Sequence, residues 1–406
     1  MRVFQLPVFY ALLWVSSAYS SEAGDQSSIT QDFGHILMEG LIDESRPVTA
    51  HLWFETGELS YETGMEGKMR LSGAIQESSP GRVIRFQGLL SEESDTSSLA
   101  WMSGTHEGCR VDEEMGHFDV KWDKSTETEP AVLSGKLEKV NGEQKSTIYL
   151  RQITPPGEAP LDYHRFRETY ERKRGDSTLD RELSIVFPQV RSEHPAHETV
   201  NAVIRHWAYQ SLVDFTDKPD VAHAAPSLPQ IESALRAELP DRAQPEKMNI
   251  EQQEAVQVSH LFKVLHNRGG LLCLRMTMTQ YLGGAHQMYS SRHLVFDLTT
   301  GSTLKLNDLL IDGWRRPLTQ MANEDLRVQF GLKEGEPLIS PGPLQEKFKL
   351  NDNLFMSDEG LGFYFDPYEI ASFSLGPVIT ILPLQKIGHL IRRDSVLWGI
   401  QNSKAQ

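Results

Sequence analysis

Between residues 33 and 153, apolar and polar residues alternate in short runs separated by clusters of Gly, Ser, Asn and Glu. This is the pattern of β-strands joined by turns. Four of the runs carry a glycine near the middle: LMEGLI at 37–42, RLSGAI at 70–75, RFQGLL at 85–90 and VLSGKL at 132–137. A glycine within a strand often marks a bend or a bulge at which a sheet curls. The pattern therefore predicts an all-β N-terminal domain over residues 33–153, built as a meander or a barrel-like sheet.

A proline-rich segment, TPPGEAP at 154–160, follows this region. Three prolines in seven residues cannot continue a hydrogen-bonded ladder, and they stiffen the chain. We therefore predict a domain boundary here and a second domain over residues 161–395.

The second half of the chain mixes helical and strand periodicity. Helical spacing occurs at 200–212, 231–239, 317–330 and 384–391. Strand patterns occur at 183–189 (ending at its proline), 257–265, 271–282, 293–298, 302–306, 353–356, 361–365 and 378–382. Short turns, such as NRGG at 267–270, join several of these strands as hairpins. The pattern predicts an α+β C-terminal domain with a mostly antiparallel sheet.

The N-terminus has the features of a signal peptide. Arg2 precedes a mostly apolar run from Val3 to Val15, and Ala18-Tyr19-Ser20 places small residues at the −3 and −1 positions of a cut after Ser20. The apolar run is too short to span a bilayer comfortably. We predict that residues 1–20 are cleaved, that no integral membrane segment remains, and that the protein is periplasmic or secreted.

The chain is acidic, with 40 basic and 56 acidic residues and a formal net charge of −16. Removal of residues 1–20 takes away only Arg2, which leaves 39 basic against 56 acidic residues, a balance of −17. Such a surface repels nucleic acid, so we expect no nucleic-acid partner. Two alternatives stay open for the role of this charge: solubility alone, or attraction of a basic protein partner.

Two cysteines occur, Cys109 and Cys273, one in each predicted domain. An oxidising compartment permits a disulfide between them. Cys273 lies among apolar residues at 271–274, which favours a buried thiol. The sequence leaves both alternatives open.

Three motifs carry a family resemblance: YLGGAH at 281–286, FDLTTG at 296–301 with LKLNDL at 304–309, and GLGFYFDPYEIA at 360–371. Over roughly residues 180–395 the chain resembles the extracellular C-terminal domain of lysozyme-sensing anti-sigma factors of the RsiV type. The same domain occurs beside the catalytic domain of some peptidoglycan deacetylases. The resemblance implies a binding module near the bacterial cell wall.

The chain also departs from both groups of relatives. We expect it to have neither the retained membrane helix nor the cytoplasmic segment of the anti-sigma members. It also lacks the Asp-Asp pair and the His-x-x-x-His pair of the deacetylase members. Signalling and deacetylation are therefore not implied.

Candidate binding residues come from two loops of the resembling region. They are Gly283, Gly284, His286 and Tyr289 around the first motif, and Asp366, Tyr368 and Glu369 in the last. Glycines let a partner approach the backbone closely, and the adjacent His titrates near neutral pH. The DPYE loop offers two carboxylates and a phenol. Its structural alternative is an Asx-type turn in which Tyr368 covers the core.

No complete catalytic set is recognisable. Nucleophile elbows, Gly-rich phosphate loops and His-Glu-x-x-His are absent from the sequence, so we expect no cofactor and no metal site. The leading hypothesis is an exported envelope binding protein whose partner is a basic, lysozyme-like protein or a cell-wall glycan. The alternative is an envelope hydrolase acting on peptidoglycan or another glycan, in which Asp366 or Glu369 works with His286.

Overall fold

The computed structural model describes residues 29–30, 33–56, 68–77, 83–91, 97–103, 114–123, 125, 129–139, 145–174, 177–213, 224–241, 255–281, 287–332, 336 and 348–403. Its strands are β1 (Ile29–Thr30), β2 (Phe33–Ile42), β3 (Arg46–Thr56), β4 (Lys68–Glu77), β5 (Val83–Ser91), β6 (Ser97–Ser103), β7 (Glu114–Asp123), β8 (Val132–Lys139), β9 (Lys145–Gln152), β10 (Leu161–Arg174), β11 (Ser177–Val190), β12 (Ala255–Arg268), β13 (Leu271–Tyr281), β14 (Met288–Asp297), β15 (Leu354–Met356), β16 (Leu361–Phe365) and β17 (Val378–Leu382). Its helices are α1 (His197–Val213), α2 (Leu228–Asp241), α3 (Leu306–Leu309), α4 (Arg315–Gln329), α5 (Leu384–Ile387) and α6 (Val396–Ser403), with short 3-10 helices at Phe373–Leu375 and Gly388–Leu390.

Strands β2 to β9 form a closed barrel in which each strand pairs antiparallel with the next and β9 returns to β2. The prediction of a barrel-like N-terminal sheet is confirmed. Alternate residues point inward and fill the barrel with apolar side chains, including Leu52, Phe86 and Phe118. All four glycine-centred runs lie within strands. At Gly40 the neighbouring strand is so close that a Cβ would lie 1.8 Å from the carbonyl oxygen of Tyr149.

The C-terminal part is built on a six-stranded sheet with the order β1-β10-β11-β12-β13-β14. All neighbouring pairs are antiparallel except β11 and β12, which are parallel. A parallel pair needs a long crossover, and here the crossover carries α1 and α2. The α+β prediction with a mostly antiparallel sheet is confirmed.

The two faces of this sheet bury different cores. Leu272, Leu274 and Phe296 face the core that α1 and α2 cover. The alternate positions Leu271, Cys273 and Val295 face a second core. A three-stranded sheet in the order β15-β16-β17 and helix α4 complete that second core. The long sheet is thus sandwiched between a helical layer and a small second sheet.

Two local predictions are wrong. Residues 302–306 do not form a strand, because Thr303 makes only an isolated bridge to Phe296 before α3 begins. Strand β11 does not stop at Pro188 but continues to Val190. Pro188 lies beyond Val186, the last residue of β11 that pairs with β12. On that side, β11 has no ladder at residue 188, and such a strand edge tolerates proline.

The linker between the barrel and the sheet is fixed to a hairpin turn. The amides of Gly269 and Gly270 donate to the carbonyl oxygens of Pro156 and Gly157 at 2.8 and 3.2 Å. The side chain of Asn267 accepts from the amide of Ala159 at 2.9 Å and donates to its carbonyl at 2.8 Å. The prolines therefore lie in a bonded connection. Within the described part of the chain, no helix has the length and apolar character needed to cross a membrane.

Candidate functional site

The DPYE loop follows β16, and its first carboxylate is held by β14. Asp366 accepts hydrogen bonds from the hydroxyl of Ser290 at 2.6 Å and from the amide of Ser291 at 2.8 Å. The guanidinium of Arg292 donates to the same carboxylate at 2.6 Å. The Asp366 side chain is 19% exposed, so these bonds are partly shielded from water. This carboxylate ties the loop to the edge strand of the long sheet.

Glu369, the second carboxylate, closes the loop on itself. It accepts from the amide of Asp366 at 3.1 Å and from the side chain of Asn351 at 2.9 Å. Burial raises the pKa of Glu369 above its ordinary value, because these two hydrogen bonds offset only part of the cost of desolvating the charge. Both acids therefore hold the loop in shape.

Between them, Tyr368 is turned outward. Its φ is 71°, in the left-handed region that is uncommon for a residue other than glycine. Tyr368 is 47% exposed, so it does not cover the core as the structural alternative for this loop supposes. Its ring lies 5.6 Å from that of Phe373, which lies 5.8 Å from that of Tyr289. We call these three residues the aromatic surface.

The structure brings four of the predicted binding residues into one region. Asp366, Tyr368 and Glu369 share the loop, and Tyr289 reaches them through Phe373. Gly283, Gly284 and His286 lie outside the described residues, so their relation to the loop stays a prediction. Cys109 also lies outside them. Cys273 is buried, and its sulfur accepts from the amide of Met356 at 3.3 Å.

Sequence reasoning missed a second group of chemically active side chains, at the contact between the barrel and the C-terminal sheets. We call it the histidine cluster: His35, His51, His266, Arg268 and Asp358. Nε2 of His51 lies 3.1 Å from Oδ2 of Asp358, and Nδ1 of His266 lies 3.2 Å from Oδ1. Arg268 approaches Oδ1 at 2.7 Å. His35 Nε2 lies 2.9 Å from His51 Nδ1.

The members come from three strands and one turn. His35 and His51 lie on the outer face of β2 and β3, since their neighbours Met38, Ala50 and Leu52 point into the barrel. His266 and Arg268 end β12, and Asp358 lies in the turn between β15 and β16. Alternation in β3 indicates that His51 faces outward. It does not indicate which side chains cover it.

The centre of the cluster is almost closed to solvent, whereas His35 and Arg268 at its edge are half-buried. The side chains of His266 and Asp358 are only 1% and 6% exposed. Burial lowers the pKa of His266 and takes that of His35 well below 6.5. For Asp358, burial alone would raise the pKa, but the electrostatic attraction of the His51 ring and the hydrogen bonds from His266 and His51 outweigh it and hold the pKa well below 3.8.

Among the residues that the structure describes, no group of three or more His, Cys, Asp or Glu side chains is arranged to hold a metal ion. In the histidine cluster the geometry shows why. His51 uses opposite ring nitrogens toward His35 and Asp358, and the Arg268 cation contacts the carboxylate.

A family model described as "Protein of unknown function (DUF3298)" matches residues 307–385. The match includes Asp358 and the whole DPYE loop, and it excludes the barrel and Tyr289. A search of curated proteins found no match.

Two solved structures are similar to this chain. A member of the DUF3298 family from Bacteroides fragilis NCTC 9343 has 16% sequence identity and a TM-score of 0.49, covering 61% of this chain and 99% of that one. A DUF3298 family protein from Pseudomonas aeruginosa PAO1 has 14% identity and a TM-score of 0.40, covering 58% of this chain and 96% of that one.

Proposed function

We propose that this chain, whose residues 307–385 form a DUF3298 domain, is an exported binding protein of the bacterial envelope that holds its partner on the aromatic surface. The observation that carries this proposal is Tyr368, an exposed aromatic side chain presented from a left-handed backbone position on a loop that two carboxylates fasten. Export is supported by the signal-peptide pattern of residues 1–20.

The backbone conformation of Tyr368 has an energetic cost. A non-glycine residue in the left-handed region costs of order 1–2 kcal/mol, and such residues persist where the surrounding structure holds them. Here Asp366 and Glu369 supply that support. A tyrosine fixed in this way loses little conformational entropy when a partner binds, which strengthens binding for a given contact area. The loop is thus built to present an aromatic side chain.

The partner that fits best is a basic protein. Tyrosine and phenylalanine are enriched at protein interfaces and supply much of the binding energy. The net charge of −16 attracts a cationic partner and accelerates the encounter. A lysozyme-like protein has this chemistry and is the partner that the family resemblance suggests. A cell-wall glycan, whose sugar rings also stack on aromatic faces, is the competing outcome of the test.

The geometry favours binding over hydrolysis. A catalytic carboxylate must reach the substrate or an attacking water. Both oxygens of Asp366 accept hydrogen bonds from β14. One oxygen of Glu369 accepts from the amide of Asp366 within the loop, and the other accepts from the side chain of Asn351. Freeing either acid would dismantle the support of Tyr368.

Titration calorimetry of the mature chain against a basic lysozyme and against soluble peptidoglycan fragments tests the proposal. We expect lysozyme to bind, and Tyr368→Ala to weaken binding by about 30-fold, the effect of a central interface residue worth ~2 kcal/mol. The matched control is Tyr149→Ala, which removes a 54% exposed tyrosine from the outside of the barrel and should leave affinity unchanged.

Three results would contradict the proposal. One is the absence of binding to either lysozyme or the fragments, and another is binding that Tyr368→Ala does not weaken. The third is turnover of peptidoglycan fragments that Glu369→Gln abolishes, since this would show an enzyme. Binding only to the fragments would move the proposal from a protein partner to a glycan.

A further inference from the structure

We propose that the histidine cluster is a proton-operated latch: it holds the outer face of the barrel against the C-terminal sheets at neutral pH and releases it in mild acid. The proposal starts from the positions of the ionisable groups. The barrel contributes His35 and His51, β12 contributes His266 and Arg268, and the β15–β16 turn contributes Asp358. A carboxylate shared by three donors is thus the polar centre of the contact between the two parts of the molecule.

The hydrogen bonds fix where the protons lie. Nε2 of His51 faces a carboxylate oxygen of Asp358, so this nitrogen carries a proton. In neutral His51 the other nitrogen, Nδ1, is then an acceptor, and His35 donates to it from Nε2. Nδ1 of His266 likewise faces the carboxylate and carries the proton. With neutral histidines, each of these three hydrogen bonds has one donor and one acceptor, and the bond from His51 to Asp358 joins the barrel to the C-terminal part.

His35 has no favourable way to take up a proton while the barrel is docked. Its Nε2 faces Nδ1 of His51 at 2.9 Å, and only one of these two nitrogens can carry the hydrogen of that bond. A proton added to His35 therefore creates a positive charge where burial disfavours it, directly beside the ring of His51.

His266 has no favourable place for a second proton. Its Nε2 is buried and has no hydrogen-bond partner among the described residues. Protonation there would create a buried charge with an unsatisfied N–H, which is costly. The neighbouring Arg268 cation adds repulsion, and Asp358 already neutralises only one unit of positive charge. Acid therefore accumulates positive charge in a site with a single carboxylate.

The other groups described at this contact do not offset the positive charge that protonation adds. Trp53, beside His35 and His51 on the barrel, donates its indole N–H to the carbonyl of Val264 at 3.0 Å. The ammonium of Lys263 lies 5.3 Å from the centre of the Trp53 ring. Its charge has the same sign as the incoming protons.

The sign of the pH effect follows from the direction of the shifts. Burial lowers the pKa of His35 and His266 below 6.5 in the docked state. The released state, with these rings in water, binds protons more tightly. Docking is therefore fully favourable above pH 6.5 and weakens as the pH falls through the interval between 6.5 and the lowered values. The pKa of Asp358 lies well below 3.8, so its charge does not change over this interval.

The test follows docking directly in the full mature chain. Small-angle X-ray scattering reports the separation of the barrel from the C-terminal part. The fluorescence difference between wild type and Trp53→Phe reports whether Trp53 is in water. Between pH 7.5 and pH 5 we expect the radius of gyration to increase and the Trp53 emission to shift to longer wavelength, with far-ultraviolet circular dichroism unchanged.

The decisive variant is His35→Gln combined with His266→Asn. The glutamine amide replaces a donor at the Nε2 position and the asparagine amide a donor at the Nδ1 position, and neither titrates. We expect this variant to stay docked at pH 5. His389→Gln, which removes an exposed histidine near the C-terminus, should open like wild type. If the double variant does not fold, His266→Asn alone should shift the opening midpoint to lower pH.

Three outcomes would overturn the proposal. The wild type could keep its radius and its Trp53 emission down to pH 5. The variants could open at the wild-type pH, which would assign the transition to other groups. Loss of circular dichroism together with the change in radius would show acid unfolding rather than release.

Discussion

Asp366 is an acidic residue whose side chain is used to organise a surface. Its carboxylate receives a hydroxyl, an amide and a guanidinium from three consecutive residues of β14, and it stands two residues before the outward-facing Tyr368. An ion pair that is partly shielded from water and supported by neutral donors costs more to break than an exposed one, because water compensates less for the lost interaction.

Removing this carboxylate should therefore destabilise the domain. We expect Asp366→Ala to lower the free energy of unfolding by about 2 kcal/mol, since Arg292 and the amide of Ser291 lose their acceptor. Urea unfolding measures the change. Asp394→Ala is the matched control, because its ion pair with Arg392 is open to solvent and should contribute nothing measurable. Equal losses in the two variants would show that Asp366 is not a support.

For single residues, the sequence predicted the role of a local motif but not contacts between residues that are far apart along the chain. The DPYE motif indicates a fixed acidic loop because Pro367 restricts the backbone beside two carboxylates. The donors to Asp366 lie 74 to 76 positions away along the chain. His51 and Asp358 are separated by 307 positions. A pattern of neighbours cannot show that such residues meet, so the histidine cluster was missed entirely.

At the scale of elements, the barrel closes because some strands approach more closely than side chains normally allow. Gly40 in β2 lies against the backbone of Tyr149 in β9, at the seam where the last barrel strand returns to the first. The obstacle is a carbonyl oxygen rather than a flexible side chain. The strands would have to separate to admit even one methyl group.

We therefore expect Gly40→Ala to lower the free energy of unfolding by about 3 kcal/mol, through strain at the seam. Gly399→Ala is the control with the opposite sign. Gly399 lies in α6 and has open space where a Cβ would be added, so alanine should stabilise by about 0.5–1 kcal/mol through its higher helix propensity. Urea unfolding of both variants measures the pair. A harmless Gly40→Ala would mean that the seam can widen.

Periodicity predicted elements best where one face or both faces are buried without interruption. The strands at 361–365 and 378–382 are buried at every residue and occur as predicted. The prediction of a strand at 302–306 was wrong because the apolar residues there belong to α3 or pack against the core beneath it. Helix α6 was not predicted, since its apolar face is short and only the surrounding core reveals that Leu397 is buried.

For the molecule as a whole, the prolines at 154–160 predicted a boundary but not its rigidity. Two kinds of contact cross or fasten that boundary. The Trp53 indole and the histidine cluster join the barrel to the sheets, and the Asn267 side chain holds both backbone groups of Ala159 in the linker. Composition indicates where one domain ends and the next begins, whereas these bonds depend on how hairpins fold back on the linker.

These contacts should make the barrel and the C-terminal part unfold together. At neutral pH we expect the wild type to show a single calorimetric transition. The double variant Trp53→Phe, Asn267→Ala removes the indole donor and leaves the buried N–H and C=O of Ala159 without their partner, a loss of ~1–3 kcal/mol for each group. Coupling between the two parts then falls below the stability of each, and two transitions should appear.

The matched control, Trp398→Phe with Asn402→Ala, makes the same substitutions around a hydrogen bond inside α6. It should lower the transition temperature and leave a single peak. Two peaks in the wild type, or one peak in the double variant, would show that these bonds do not couple the barrel to the sheets.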